Sequence, residues 1–271
     1  MLRIVADLGN SRMKWARLDS SGRATSSTAL PPDDPPAWDA LWQSWADAVG
    51  RGRDDGAGEE WAIASVNPPA AARMKAFLAA RGVRRVAWYE TASDVPLSMD
   101  VEDSNQGGAD RALAVLAAAS RKPAGRPGLV VSCGTAITIE RIRADGTWLG
   151  GVIAPGLFLC ARALHMLTAQ LPLIHPDASA PSWGRGTVDS MEAGLFWGTV
   201  GAIKELLARQ DFDPPGEPWV AWTGGDADRL AGAVSGPSAL VLPDLVLEGM
   251  VAAAFGAQRA PGPRGGHGLA P

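Results

Sequence analysis

Short apolar runs along this chain alternate with longer stretches whose apolar residues recur at helical spacing, and that alternation predicts an α/β protein. Residues 2–6 form an apolar run that ends at Asp7 and is followed by Gly9-Asn10-Ser11. Residues 12–18 continue as a strand and residues 19–22 as a turn, so the opening reads as a hairpin. A proline-rich loop at 31–36 leads into a helix over 37–49, marked by Trp38, Leu41, Trp42 and Trp45. A strand over 61–66 closes at Asn67-Pro68-Pro69, with a helix over 70–81 and a strand over 83–88 beyond it. An Ala/Leu-rich helix over 110–121 runs into a Pro/Gly-rich linker at 121–128.

Beyond the linker the opening pattern returns. Leu129-Val130-Val131 leads to Ser132-Cys133-Gly134-Thr135, then a strand over 136–143 and a turn at Asp145-Gly146. Laying Asp7 on Ser132, an offset of 125 residues, brings Gly9 onto Gly134 and Asn10 onto Thr135. A repeat that long indicates two related lobes rather than a solenoid, whose periods are roughly 20–50 residues. The expected division is 1–121, 122–257 and a Pro/Gly-rich tail over 258–271 expected to be disordered. The second half adds a strand between glycine turns at 150–156, helices over 191–209, 226–235 and 245–255, and strands over 219–222 and 239–242.

Composition narrows the function. With 46% hydrophobic residues in 271, the chain can bury a full core. Its formal net charge of −4 argues against nucleic-acid binding, which needs a basic footprint. The local clusters Arg51/Arg53 and Arg84/Arg85 read as solvated surface. Two cysteines, Cys133 and Cys160, make neither a C-x-x-C pair nor a disulfide framework, and the three histidines show no ligand spacing. No apolar run approaches the ~20 residues of a membrane span, and no leader segment is visible, so a cytoplasmic location is expected.

Three motifs can carry chemistry. In Asp7-Leu8-Gly9-Asn10-Ser11-Arg12-Met13-Lys14, a carboxylate at a strand end can hold Mg²⁺ and a glycine turn lets backbone N–H groups approach phosphate. An ordinary hairpin with a turn-capping Asp fits the octapeptide too. Ser132 to Thr138 offers a second small-residue turn, with the Thr135 hydroxyl. Two such turns can grip a polyphosphate from both sides of a cleft. Gly107-Gly108-Ala109-Asp110-Arg111 opens a helix whose positive end should keep Asp110 ionised, ready to accept a hydroxyl proton, with Arg111 beside it for an anion. A helix-capping Asp followed by a surface Arg is the alternative.

Taken together, D-L-G-N-S-R-M-K at 7–14, S-V-N-P at 65–68, G-A-D-R at 108–111, G-T-A-I-T at 134–138 and G-G-V-I-A-P-G at 150–156 resemble the type III pantothenate kinases of the acetate and sugar kinase/Hsc70/actin superfamily. So do L-P-L at 171–173, G-T-V-D-S-M-E-A-G at 186–194, T-G-G at 223–225 and P-D-L-V-L-E-G-M at 243–250. The resemblance implies two ribonuclease-H-like (actin-like ATPase) lobes with a nucleotide cleft between them. It further implies ATP-dependent phosphorylation of pantothenate, the first step of coenzyme A synthesis, by a homodimer. Asp7 to Lys14, with Leu8, Gly9, Asn10, Ser11, Arg12 and Met13, would bind ATP together with Thr135, and Asp7 would stand near Mg²⁺. Asp110 would be the general base, with Gly108, Ala109 and Arg111 along the substrate and Thr187 reaching it from the dimer partner. The family's carboxylate for K⁺ or NH₄⁺ is Ser132 here, its Asp after the second strand is Glu140, and its substrate-side Tyr is Val101. Relatives of the family include regulatory accessory factors. That role, or a kinase for another small hydroxy acid, is the alternative.

Overall fold

The computed structural model describes residues 1–48, 58–121, 123, 125–176, 180–212 and 216–256. The expected tail from 258, the Arg51/Arg53 pair, Val49 at the end of the first helix, and Lys122 and Ala124 of the linker lie outside the described residues.

Strands β1 (Leu2–Leu8), β2 (Met13–Arg17), β3 (Thr28–Leu30), β4 (Glu59–Ser65) and β5 (Arg85–Tyr89) form one sheet in the order β3-β2-β1-β4-β5. Strands β6 (Gly128–Cys133), β7 (Ala136–Ile142), β8 (Trp148–Pro155), β9 (Trp219–Thr223) and β10 (Leu240–Val241) form a second, in the order β10-β9-β6-β7-β8. In each sheet the first strand and the two on one side of it form an antiparallel meander, and the two strands on its other side run parallel to it. The repeat seen in the sequence is therefore a repeat of topology. Asp7 pairs with Lys14 across the first hairpin and Ser132 with Thr138 across the second.

Helices α1 (Pro35–Ala48) and α2 (Pro68–Ala79) cover the outer face of the first sheet, while α3 (Ala109–Arg121) and α7 (Leu245–Phe255) pack against each other between the two sheets. Helices α4 (Leu157–Leu167), α5 (Thr187–Ala208) and α6 (Ala227–Ser235) belong to the second half, where Leu157, Phe196 and Leu230 pack with the outer face of its sheet. The outer core of the first sheet is aromatic. Trp15 meets Trp61 edge-on at 5.2 Å between ring centroids, with Trp38 and Phe77 completing the cluster. This accounts for the helical spacing of tryptophans in α1. Pro68 and Pro69, expected to close β4, instead open α2, where their missing N–H groups cost nothing; the Asn67 side chain caps the helix by accepting from the Ala70 N–H at 3.1 Å. Among the described residues no helix is long and apolar enough to cross a membrane.

Strand alternation decides which side chains meet in the middle. In β1, Leu2, Ile4, Ala6 and Leu8 point to the outer core, while Val5 points to the layer between the sheets. Asp7 shares the parity of Val5 and faces inward with it. By the same rule Ser132 follows Val130, Thr138 and Glu140 follow Ile142, and Lys14 follows Ala16.

Candidate active site

A cavity of about 440 Å³ opens between the sheets, where the two hairpin tips, the start of α3 and the start of α7 converge. Asp7, Gly9, Asn10, Ser11, Arg12 and Lys14 line one side and Ser132, Gly134 and Thr135 the other, with Asp110 and Arg111 at the inner end. The two loops touch: the Ser11 and Thr135 hydroxyls share a hydrogen bond at 2.8 Å. The Arg12 guanidinium lies against Gly225, where any Cβ would collide with it, and Gly224 holds a left-handed φ of +99° against the Cys133 backbone. Lys14 donates to the Pro243 carbonyl at 2.9 Å and to the Asp244 carboxylate at 3.2 Å. The hairpin thus binds to the segment leading into α7.

Not every expected residue reaches this space. Leu8, Met13 and Ala109 are fully buried in the core, so the first two can offer a ligand only their backbone. Gly108 stands behind Asp110: a Cβ there would lie 2.5 Å from the Asp110 Oδ1. Val101 packs toward Gly150 at the edge of the central core, and Thr187 is exposed at the start of α5; neither lines the cavity. Conversely Thr138, Thr223, Phe158, Asp226 and Asp244 do line it. Thr138, Thr223 and Asp244 lie within the G-T-A-I-T, T-G-G and P-D-L-V-L-E-G-M motifs, and Asp226 directly follows T-G-G. Phe158 sits on α4, a helix with no clear trace in the sequence pattern.

The electrostatics are those of a desolvated acidic site. Burial pushes the Asp7 carboxyl up to about 7, the nearby Asp110 charge adds to the rise, and Lys14 opposes it. Asp110 was expected to stay ionised at its helix terminus. Burial instead raises its pKa, against the opposing pull of the Arg111 N–H, which donates to Oδ1 at 2.9 Å, and of the Arg111 charge; Glu140 raises it further. Arg111 is paired with Glu140 through two bonds, Nε to Oε1 at 2.6 Å and Nη2 to Oε2 at 2.8 Å. Cys133 is buried and its thiol is pushed up to about 12 by desolvation, then by the Asp226 charge, which makes it a poor nucleophile.

The Asp7 and Asp110 charges repel each other, which a hard divalent cation with oxygen ligands at Asp7 would relieve. The surroundings of Ser132 fit a monovalent cation less well. Thr138 Oγ1 is buried there without a hydrogen-bond partner among the described residues, but the Glu140 carboxylate is already held by Arg111 and Trp148.

Residues 3–209 match the family model described as type III pantothenate kinase. A type III pantothenate kinase of Porphyromonas gingivalis is 41% identical over 167 residues, covering 59% of this chain and 65% of that protein, just under two thirds of its length. One from Akkermansia muciniphila is 35% identical over 192 residues, covering 71% of this chain and 76% of the relative. Among solved structures, a Campylobacter jejuni protein of the Baf family of transcriptional activators superposes with a TM-score of 0.56 at 21% identity, over 92% of this chain and 96% of that one. The ADPNP-bound activator of 2-hydroxyisocaproyl-CoA dehydratase from Clostridium difficile superposes with a TM-score of 0.53 at 13% identity, over 94% and 93%. Both share the fold of this chain.

Proposed function

The chain belongs to the type III pantothenate kinase family, and from that membership we propose that it transfers the γ-phosphoryl group of ATP to the primary hydroxyl of pantothenate. One observation carries the reading: two half-buried carboxylates from separate elements, Asp7 and Asp110, face one cavity between two hydroxyl-tipped turns. Phosphoryl transfer asks a protein mainly for positioning and charge stabilisation, and this arrangement supplies both.

Asp110 is assigned as the base that takes the hydroxyl proton, since a carboxylate whose pKa is raised from the ordinary range holds a proton better near neutral pH. Asp7 would hold Mg²⁺, which would offset the negative charge of the phosphates. Backbone N–H groups from Leu8 to Met13, the side chains of Asn10, Ser11, Arg12 and Lys14, and the Thr135 hydroxyl would take the ATP phosphates. Gly108, Ala109 and Arg111 would border the pantothenate.

We assign Thr187 to the site of a partner subunit in a homodimer. Support comes from the exposed apolar side chains concentrated on β8, α4 and α5, among them Ile153, Met166, Leu167, Val188 and Trp197. The lobe division at 121/122 is likewise our reading, supported by the repeated sheet topology. The neutral oxygens at Ser132 and Thr138 suit only a loosely held K⁺ or NH₄⁺, so turnover should depend weakly on either. A cytoplasmic location goes with ATP as a substrate.

The test is ADP release by the purified chain with Mg²⁺, ATP and pantothenate, with and without potassium. Pantothenate-dependent ADP in both conditions is expected. Its absence in both would leave the accessory-factor reading in place.

A further inference from the structure

An arginine beside a catalytic carboxylate is useful only if its plane is fixed, and here the fixing is visible. The side chain of Arg111 is 19% exposed and that of Glu140 1%. Glu140 accepts the Nε and Nη2 protons in a fork at 2.6 and 2.8 Å, and its Oε2 accepts a third bond from the Trp148 Nε1 at 3.0 Å. The Trp148 ring also lies under the guanidinium, 5.3 Å from centroid to Cζ. Trp148 is itself held at both ends of its peptide unit: its N–H donates to the Ser98 carbonyl and its carbonyl accepts from the Asp100 N–H.

A buried ion pair of this kind is an expensive way to fill a core, because desolvation offsets much of the attraction. What it does supply is orientation. A guanidinium carries five N–H donors in one plane. Glu140 takes the two on the inner side. The three that remain sit on Nη1 and Nη2 at the outer end, and Arg111 is part of the cavity wall. The Glu140 charge also offsets that of Arg111, so an incoming anion meets directed donors rather than a free cation.

We propose that Glu140 and Trp148 are positioning residues that lock the Arg111 guanidinium so that its outer edge offers a two-donor fork to the carboxylate of the acceptor substrate. The inference rests on the kinase reading and deepens it: the acceptor is selected as a hydroxy acid, not merely as an alcohol. A Gln at 140 would turn an amide N–H₂ toward one of the arginine donors, and the plane would swing.

The experiment is steady-state kinetics of the full chain with pantothenate and with pantothenyl alcohol, in which the carboxylate is replaced by a hydroxymethyl group. Wild type should prefer pantothenate. Glu140→Gln should raise its KM about tenfold or more, leave the KM for ATP unchanged, and collapse the preference over the alcohol. Glu140→Asp should restore part of that preference. An unchanged pantothenate KM, or an equal loss on both substrates, overturns the inference. Should Glu140→Gln fail to fold, Trp148→Phe carries the test: reduced preference is expected, and retained preference overturns it. A wild type that releases no ADP with pantothenate sinks the kinase reading and this inference together, before any variant is compared.

Discussion

Asp7 and Asp110 take their chemistry from what surrounds them. For Asp7 the folded pKa of about 7 lies above the ordinary carboxylate value of 3.8. As pH rises between these values the unfolded chain loses its proton first, so stability is greatest below about 4 and falls until about 7. In the ligand-free protein Asp7→Asn should remove this slope and stabilise the fold near pH 8 by of order 2–4 kcal/mol. Urea denaturation from pH 4 to 8 reads it out, and a slope unchanged in the variant would refute the assignment. Asp110→Asn should melt no lower than wild type yet lose about 10²–10⁴ in kcat, the usual contribution of a positioned base. Full activity in that variant would remove Asp110 from its role. At this scale the sequence displayed the right residue types but not their environment. A helix terminus is visible in G-A-D-R, whereas the two sheets that bury it come from residues far away in the chain.

Local patterning made most elements legible. Both hairpins, the Trp-bearing helix and the last helix over 245–255 stand as the periodicity indicates. Helix α4 leaves Leu159, Met166 and Leu167 exposed beside its buried Leu157 and Ala161, so its apolar residues do not mark out one core face. Strand β3 is only three residues long, too short for a period to show. The contact between α3 and α7 depends on Gly249, where a Cβ would lie 2.1 Å from the Leu113 carbonyl oxygen. Because the obstacle is backbone, Gly249→Ala must push the helices apart. A loss of roughly 1–3 kcal/mol is expected by chemical denaturation, in line with overpacking elsewhere. A neutral effect would mean the two helices can slide without cost.

Among the described residues, the exposed apolar side chains on β8, α4 and α5 have no counterpart on the first sheet, and exposed patches of this kind mark association surfaces. Light scattering should therefore report about twice the chain mass of 28.1 kDa, and Trp197→Glu should shift it toward the monomer. A monomeric wild type would withdraw Thr187 from the site. The duplication was readable in the sequence as order alone, strand, small-polar turn, strand, turn; the shared sheet order shows how deep it runs. That duplication has a consequence for direction. Two like hairpins facing each other would accept a chain of phosphates in either sense, as a palindrome reads the same from both ends. Here one tip starts from the carboxylate of Asp7 and its mate from the hydroxyl of Ser132. That difference, with Arg12 and Lys14 on the first tip where the second has no cation, gives the cleft a polarity, so that a nucleotide entering it has a head end and a tail end.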